Sequence, residues 1–477
     1  MRKISGKAGI LSSHLNELSM AGETSKGGKK ASLKQKASQH RPPITIENKQ
    51  KRGLPAKYIK WLVFAFALAL YANTLDLKYA SDDSLMITGN EFTKKGISGI
   101  KDILTNDAFV GFLGKNNLLP GGRYRPLTQV MFAVEKELFG FNPFVGHLLN
   151  IIFYAITCML LFVILQRLFR NYTANYWYLS IAFIAAILFT AHPLHTEAVA
   201  NIKGRDEIMS LFFSLLTVWL VLVYLEKQKL WMIILSAVTF IMAILSKENA
   251  VTFILIVPLI LFVFTKSKKR DHILCLSSLI AAALIYFVFR ISMIGLRLGD
   301  IKVVELLNDP FTDATFIEKY ATVFYTWLKY LGLMIFPHPL THDYYPKQIP
   351  IINFSDVRAL LSFLIYTTLL VFALWKIKNK NMYAFGILFF FITFSTVSNF
   401  VINVGTFMNE RFLFTSLTGF TIIVAYFLAV TLRKKIKNTS TYRTWVIVVL
   451  VLVLSAYSIK TVSRNRVWMD DFTLFTT

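Results

Sequence analysis

Apolar runs of roughly 17–25 residues recur along this chain, separated by short polar connectors. Each run is about the length of α-helix that crosses a ~30 Å hydrocarbon core. The short alternating segments that build a membrane β-barrel are absent. The pattern therefore predicts an all-α polytopic membrane protein with 11 spans: Ile59–Leu77, Phe144–Phe169, Tyr178–Ala198, Ile208–Tyr224, Leu230–Leu245, Val251–Phe264, Ile273–Ile294, Ala359–Trp375, Tyr383–Phe400, Phe412–Leu432 and Trp445–Ile459. A long polar segment, about Lys78–Asn142, follows the first span and contains an amphipathic stretch, Leu127–Phe139, that reads as a juxtamembrane helix. No internal repeat is visible.

Composition agrees with the pattern. Hydrophobic residues make up 55% of the 477, and mean hydropathy is +0.53, outside the range of ordinary soluble domains. The net charge of +25 would suit nucleic acid, but its placement argues for membrane orientation. Lysine and arginine concentrate in the first 57 residues and in short loops such as Lys266–Arg270, Lys376–Lys380 and Arg433–Lys437. That is the cytoplasmic bias of membrane proteins. Residues 1–57 hold no apolar core of a cleavable signal and read as a disordered basic cytoplasmic tail. Cys158 and Cys275 lie inside apolar runs and read as reduced core residues.

Tyr320–Phe336 is apolar enough to resemble a further span. Charge parity decides against it. Lys266–Arg270 and Lys376–Lys380 share the cytoplasmic side only if an even number of crossings separates them, and Ile273–Ile294 with Ala359–Trp375 already supplies two. Residues 320–336 are therefore expected as an outer-face or re-entrant helix ended by Pro337 and Pro339. The resulting topology has the N-terminus inside and the C-terminus outside. It divides into the tail, a transmembrane domain over residues 58–462, and an outer stub over 463–477 that shows no compact ending.

With this topology the unusual polar residues collect on the outer face: Asp82, Asp83, Arg123, Tyr124, Arg125, His147, His192, His195, Glu197, Lys203, Arg205, Asp206, Lys247, Glu248, His338, His342, Asp343, Asn399, Glu410 and Arg411. A charge at bilayer depth costs about 2.5–3.5 kcal/mol, so such a collection is expected to have a purpose. Guanidinium forks such as Arg123, Arg125, Arg205 and Arg411 suit a phosphate or pyrophosphate, and Asp82 suits removal of a proton from an attacking hydroxyl. Together they fit displacement of a lipid-borne phosphate, against a plainer reading of each arginine as a headgroup contact. His192-Pro193-Leu194-His195 is a poor metal motif, because Pro193 breaks the helical spacing and no thiol pair supports it. Lys247-Glu248 reads most simply as a local charge pair at a span end.

His192-Pro193-Leu194-His195-Thr196-Glu197-Ala198-Val199, followed by Gly204-Arg205-Asp206, resembles the signature of the transmembrane and tetratricopeptide-repeat-containing O-mannosyltransferases and their bacterial relatives. Further segments fit in order: Asp82-Asp83 with Asn90, Tyr124-Arg125-Pro126-Leu127-Thr128, His147 with Asn150, Lys247-Glu248, Ser398-Asn399-Phe400 and Glu410-Arg411. The resemblance covers about residues 60–477. It implies a GT-C glycosyltransferase fold and inverting transfer of a sugar, typically mannose, from a polyprenyl or dolichyl phosphate to Ser or Thr hydroxyls of exported proteins. The family's acidic base in the first outer loop maps onto Asp82 or Asp83, with Asp82 as base and Asp83 as its partner. Arg123, Arg125, Lys203, Arg205 and Arg411 become donor-phosphate ligands. His147, His192, His195, Glu197, Asp206, Lys247, Glu248 and Glu410 become supporting polar groups. Expected partners are membrane lipids, the lipid-linked sugar and an exported protein acceptor, with no nucleic acid. No cofactor is assigned, and a divalent cation, Mg or Mn, on Asp82 and Asp83 stays open. So does the membrane, which is a bacterial inner membrane with the site facing the periplasm or the endoplasmic reticulum with the site facing the lumen. Two alternatives stand beside this reading: the same fold acting on a lipid or envelope glycan, and a transporter or flippase, which lacks the expected inverted repeat. A scaffold with a degenerate site is a further one.

Overall fold

The computed structural model describes residues 56–114, 122–172, 174–295, 309–344 and 348–476. The basic tail, up to Pro55, lies outside them, as do parts of 295–357, the second long stretch expected on the outer face. The described residues are helical, with no strand.

Each predicted span corresponds to a helix. The chain enters through α1 (Ala56–Tyr71) and crosses the first outer segment in three short helices, α2 (Glu91–Lys94), α3 (Ile100–Thr105) and α4 (Val110–Leu113). The amphipathic stretch forms α5 (Pro126–Phe139), with Pro126 at its first turn and Gly140 in the left-handed region closing it. Then follow α6 (Pro143–Leu168), α7 (Ile181–Ala191), α8 (Thr196–Ala200), α9 (Arg205–Lys227), α10 (Trp231–Ser246), α11 (Phe253–Phe264) and α12 (Lys269–Ile294). Then come α13 (Phe316–Ile335), α14 (Val357–Ile377), α15 (Met382–Phe394), α16 (Leu417–Tyr426), α17 (Leu432–Lys435), α18 (Thr439–Asn465) and α19 (Asp471–Thr476).

The expected count of 11 crossings changes in one respect. Six helical stretches among the described residues are long and apolar enough to span a membrane, and up to seven if the pair α7–α8 counts as one broken span. That pair bends by 54° at His192-Pro193, where the proline ends the regular hydrogen-bond ladder. The shortfall lies in length: α1 and α10 have 16 residues, α11 has 12 and α15 has 13, against about 20 for a full crossing. α13 is not among the candidate spans.

α7 is the centre of the packing. Every one of its residues is buried, and it touches α1, α6, α16 and α18. α9 packs on α6, and α10 and α12 continue outward from α9. On the other flank α16, α15, α14 and α13 pack in succession. The outermost helices carry exposed apolar rows, such as Ile280, Leu284 and Val288 on α12 and Val448, Val451 and Leu452 on α18, the surface expected to face lipid tails. Cys158 and Cys275 are buried free thiols, as their apolar context predicts.

Close backbone approach replaces a hydrophobic drive between helices in lipid. α15 and α16 meet at Gly386 and Gly419, where a side chain on Gly419 would stand 2.4 Å from the Gly386 carbonyl oxygen and 2.9 Å from the Phe390 nitrogen. Gly419→Ala is therefore expected to destabilise the protein by roughly 1–3 kcal/mol. Gly332→Ala, on α13 with open space around the added carbon, should be neutral or stabilising by roughly 0.4–1 kcal/mol. Thermal unfolding of the two variants in detergent checks the contrast, and equal shifts would refute the packing argument.

Candidate active site

The acidic pair sits in a tight turn after α1. Ser81 adopts φ of +54°, a left-handed conformation that non-glycine residues rarely take. That twist sends the two carboxylates in different directions. Asp83 turns inward and is 1% exposed. Its Oδ2 accepts the Ala80 N–H at 3.1 Å and its Oδ1 accepts the Lys203 N–H at 2.7 Å. Asp82 keeps 29% of its side chain exposed, with Oδ2 3.4 Å from Lys203 Nζ and 3.9 Å from Arg411 Nη1. The pair thus grips one residue twice, Asp83 by its backbone and Asp82 by its ammonium. Asp83, expected as the partner of Asp82, is a buried acceptor of backbone hydrogen bonds.

Lys203 lies in the connector between α8 and α9, which is held by Asn150 on α6. The Asn150 amide donates to the carbonyls of Val199, Asn201 and Ile202 at 3.3, 2.9 and 3.2 Å. Its Oδ1 accepts Arg205 Nε at 2.7 Å. Arg205 is completely buried; it also pairs with Glu135, donates to the Gly146 carbonyl at 3.0 Å and stacks on Phe132. Arg205 was expected among the phosphate ligands. All its nitrogens are committed to protein, so it braces the connector instead.

The remaining charges form an alternating series: Glu248, Arg125, Asp206, Lys203, Asp82, Arg411 and Glu197. Arg125 donates to Glu248 through Nε and Nη2 at 2.8 and 2.6 Å and to Asp206 through Nη1 at 2.8 Å. Lys203 Nζ lies 3.6 Å from Asp206. Arg411 donates to Glu197 through its backbone N–H at 2.8 Å and Nη1 at 2.5 Å. Buried charges are tolerated when neighbours compensate them, and alternation supplies that at each position. Lys247 pairs with the buried Glu207. The expected Lys247–Glu248 pair is accordingly not formed; the two side chains serve different partners.

Donor capacity separates the cations. Arg125 has no free nitrogen. Arg411 has two, Nε and Nη2, without a protein partner among the described residues, and its side chain is 22% exposed. The Arg123 guanidinium lies over the Phe109 ring and forms no ion pair among the described residues, while its backbone N–H donates to Asp107 Oδ2 at 2.6 Å. Burial, with the charges of Arg125 and Arg411 nearby, holds its guanidinium below the ordinary value. Burial raises the Asp82 carboxyl, but Lys203 and Arg411 outweigh it and hold that carboxyl below the ordinary range. Asp343, from the second outer segment, lies within electrostatic reach of both Arg411 and Asp82, and burial raises it. It was expected among the outer-face residues, without the approach to Asp82 that the structure shows.

The other expected residues support rather than line the site. His147 Nε2 lies 3.4 Å from the Lys78 carbonyl. His192 caps the bend, accepting the Leu194 N–H at 3.3 Å and meeting the Met334 carbonyl at 3.0 Å. His195 bonds the Tyr154 hydroxyl at 2.8 Å between Phe189 and Phe414. Glu410 turns away from Arg411 to accept the Thr341 N–H at 2.7 Å. Among the described residues no three His, Cys, Asp or Glu side chains converge in a way that could hold a metal ion. The Asp82–Asp83 cation reading does not fit either, since both Asp83 oxygens hold backbone N–H groups and Asp82 faces two cations.

Comparison with known proteins gives two family matches, dolichyl-phosphate-mannose-protein mannosyltransferase over residues 125–293 and protein O-mannosyl-transferase TMTC, DUF1736, over residues 307–370. Asp82 and Arg411 fall outside both segments. Protein O-mannosyl-transferase TMTC3 of Mus musculus is 26% identical over 87% of this chain and 46% of its own length. Protein O-mannosyl-transferase F38B6.6 of Caenorhabditis elegans is 26% identical over 87% and 56%. The chain spans about half the length of these curated relatives. An archaeal oligosaccharyltransferase, AglB from Archaeoglobus fulgidus, solved with an inhibitory peptide and a dolichol-phosphate, aligns over 86% of this chain and 56% of its own at a TM-score of 0.38 and 11% identity. The resemblance drawn from the motifs is borne out by the family and relative matches.

Two outcomes follow from the geometry. Asp83→Asn keeps one acceptor where the turn uses two, so it should destabilise the protein by roughly 1–3 kcal/mol in thermal unfolding; an unchanged midpoint would refute the pin. Burial lifts the Glu410 carboxyl up to about 8. An acid raised on folding holds its proton more tightly in the folded state, so its stabilisation is complete below the unfolded value of about 4.3 and is lost as pH rises through about 8. The melting midpoint should fall between pH 6 and pH 9, and Glu410→Gln should flatten that slope.

Proposed function

We propose that this chain, a relative of the TMTC-type protein O-mannosyl-transferases, is an integral-membrane glycosyltransferase. It moves mannose from a polyprenyl- or dolichyl-phosphate donor to Ser or Thr hydroxyls of proteins on the outer side of its membrane, the lumen or the periplasm. The observation that carries the reading is the position of Asp82. It is a partly exposed carboxylate set beside Lys203 and beside Arg411, two of whose guanidinium nitrogens have no protein partner among the described residues.

The chemistry follows from those groups. Asp82 takes the acceptor hydroxyl proton as the oxygen attacks the anomeric carbon. The bond from that carbon to the phosphate oxygen breaks, and the lipid phosphate leaves with the electron pair. A single displacement inverts the anomeric centre. Arg411 Nε and Nη2, with Arg123 at the rim, receive the charge that develops on the leaving phosphate, where fixed donors are worth most. Lys203 and Arg411 keep Asp82 ionised, as a base must be. Their pull also weakens its basicity. A donor phosphate bound on Arg411 neutralises part of that pull, so Asp82 becomes a stronger base once the donor is seated. Apolar helices around the site receive the lipid tail. The names of the relatives favour a protein acceptor over a lipid or glycan.

Membranes carrying the protein, given radiolabelled polyprenyl-phosphate mannose, should place label in protein. Asp82→Asn should lower transfer by about 10²–10⁴-fold with expression and melting unchanged. Wild-type transfer in that variant would remove Asp82 from the base role, and label found only in lipid would replace the acceptor assignment.

A further inference from the structure

The base rests on a turn, and the turn rests on the far end of the chain. α18 is stitched to the end of α1: Asn465 donates to the Leu70 carbonyl at 3.0 Å and to Asn73 Oδ1 at 2.7 Å, and Asn73 donates to the Val462 carbonyl at 2.9 Å. The residues that follow were expected as a loose stub. Instead they lie along the segment leading to Asp82. Trp468, 2% exposed, packs with Leu77, Ala80, Ala200 and Leu474. The Lys78 N–H donates to the Met469 carbonyl at 2.9 Å, and Asp470 pairs with Lys78 at 3.4 Å. The Ser81 N–H donates to Asp471 Oδ1 at 2.6 Å.

That last bond is the informative one. Ser81 is the residue in left-handed conformation immediately before Asp82. Such backbone persists only where surrounding structure over-determines it. Asp83 secures the downstream side of the turn, and Asp471 holds the Ser81 N–H from outside. We propose that Asp471, seated by Trp468, is a positioning residue that holds the Ser81 turn so that Asp82 faces Lys203 and Arg411. The inference rests on the proposed role of Asp82 as base and adds that segment 466–471 sets the base's alignment. A displacement of that segment passes to Asp82 through two hydrogen bonds, from the Lys78 N–H to the Met469 carbonyl and from the Ser81 N–H to the Asp471 carboxylate.

Asp471 is an exposed residue, so its replacement leaves the core intact. In Asp471→Ala the Ser81 amide should exchange with solvent faster, read as increased deuterium uptake by residues 77–84. Transfer from labelled donor should lose kcat on the order of 10- to 100-fold, as for a reacting group misplaced by about 1 Å, with little change in KM. The groups facing Asp82 are the cations Lys203 and Arg411 and the acids Asp83, Glu197, Asp206 and Asp343. Moving Asp82 off the two cations raises its proton affinity, so the acid limb of kcat/KM should shift to higher pH. Asp471→Asn retains the accepting oxygen and should restore all three readouts. Wild-type exchange and kcat in Asp471→Ala would overturn the proposal, as would equal losses in the Ala and Asn variants. Wild-type transfer in Asp82→Asn measured alongside would instead overturn the base role, while the exchange result would still report on the clamp.

Discussion

One buried carboxylate organises the charged site. Asp83 satisfies two backbone N–H groups from chain segments more than a hundred residues apart, Ala80 and Lys203. Buried amides need such partners, and no regular element supplies them in these connectors. The bond to Lys203 fixes where the α8–α9 connector stands against the end of α1. The position of the Lys203 ammonium, and through it Asp82, follows. Without this pin, Asp82 and Arg411 would belong to two independent loops.

Around the pin, charge is arranged so that no ion is buried alone. The series from Glu248 to Glu197 alternates in sign, and the same alternation limits what can bind. An anion approaching Arg125 must displace carboxylates already bonded to every nitrogen. An anion approaching Arg411 meets Nε and Nη2, which have no protein partner among the described residues. Guanidinium groups of the same charge thus differ in hydrogen-bond occupancy: those of Arg125 and Arg205 are committed to protein through every nitrogen.

Much of the architecture was legible because apolar run length and loop charge are local properties. All predicted segments are helices, and the amphipathic Leu127–Phe139 stretch is α5. Short helices such as α11 and α15 were harder to place, because a run of the same hydropathy can cross a bilayer or stop within protein. In the site, residue types and their outer-loop positions were readable, but partners were not. Nothing local tells Asp82 from Asp83; the handed turn at Ser81 does. Lys247 and Glu248 look like a pair in sequence, yet successive residues point in different directions once α10 ends and a tighter helix begins. Arg205 is sequestered by Asn150, Glu135 and Gly146, all far from it in the chain. Trp468 beside two aspartates was the one clue that the terminal segment docks.

The complete enclosure of α7 bears on how the protein is made. Its neighbours α1 and α6 precede it in the chain, but α16 and α18 lie beyond the whole stretch from His192 to Ser416. A nascent chain emerging from the ribosome therefore holds α7 with one flank unsheltered until α16 and α18 have been synthesised. Biogenesis of this fold depends on whatever occupies that flank in the interval, whether bilayer lipid, the insertion machinery or a chaperone.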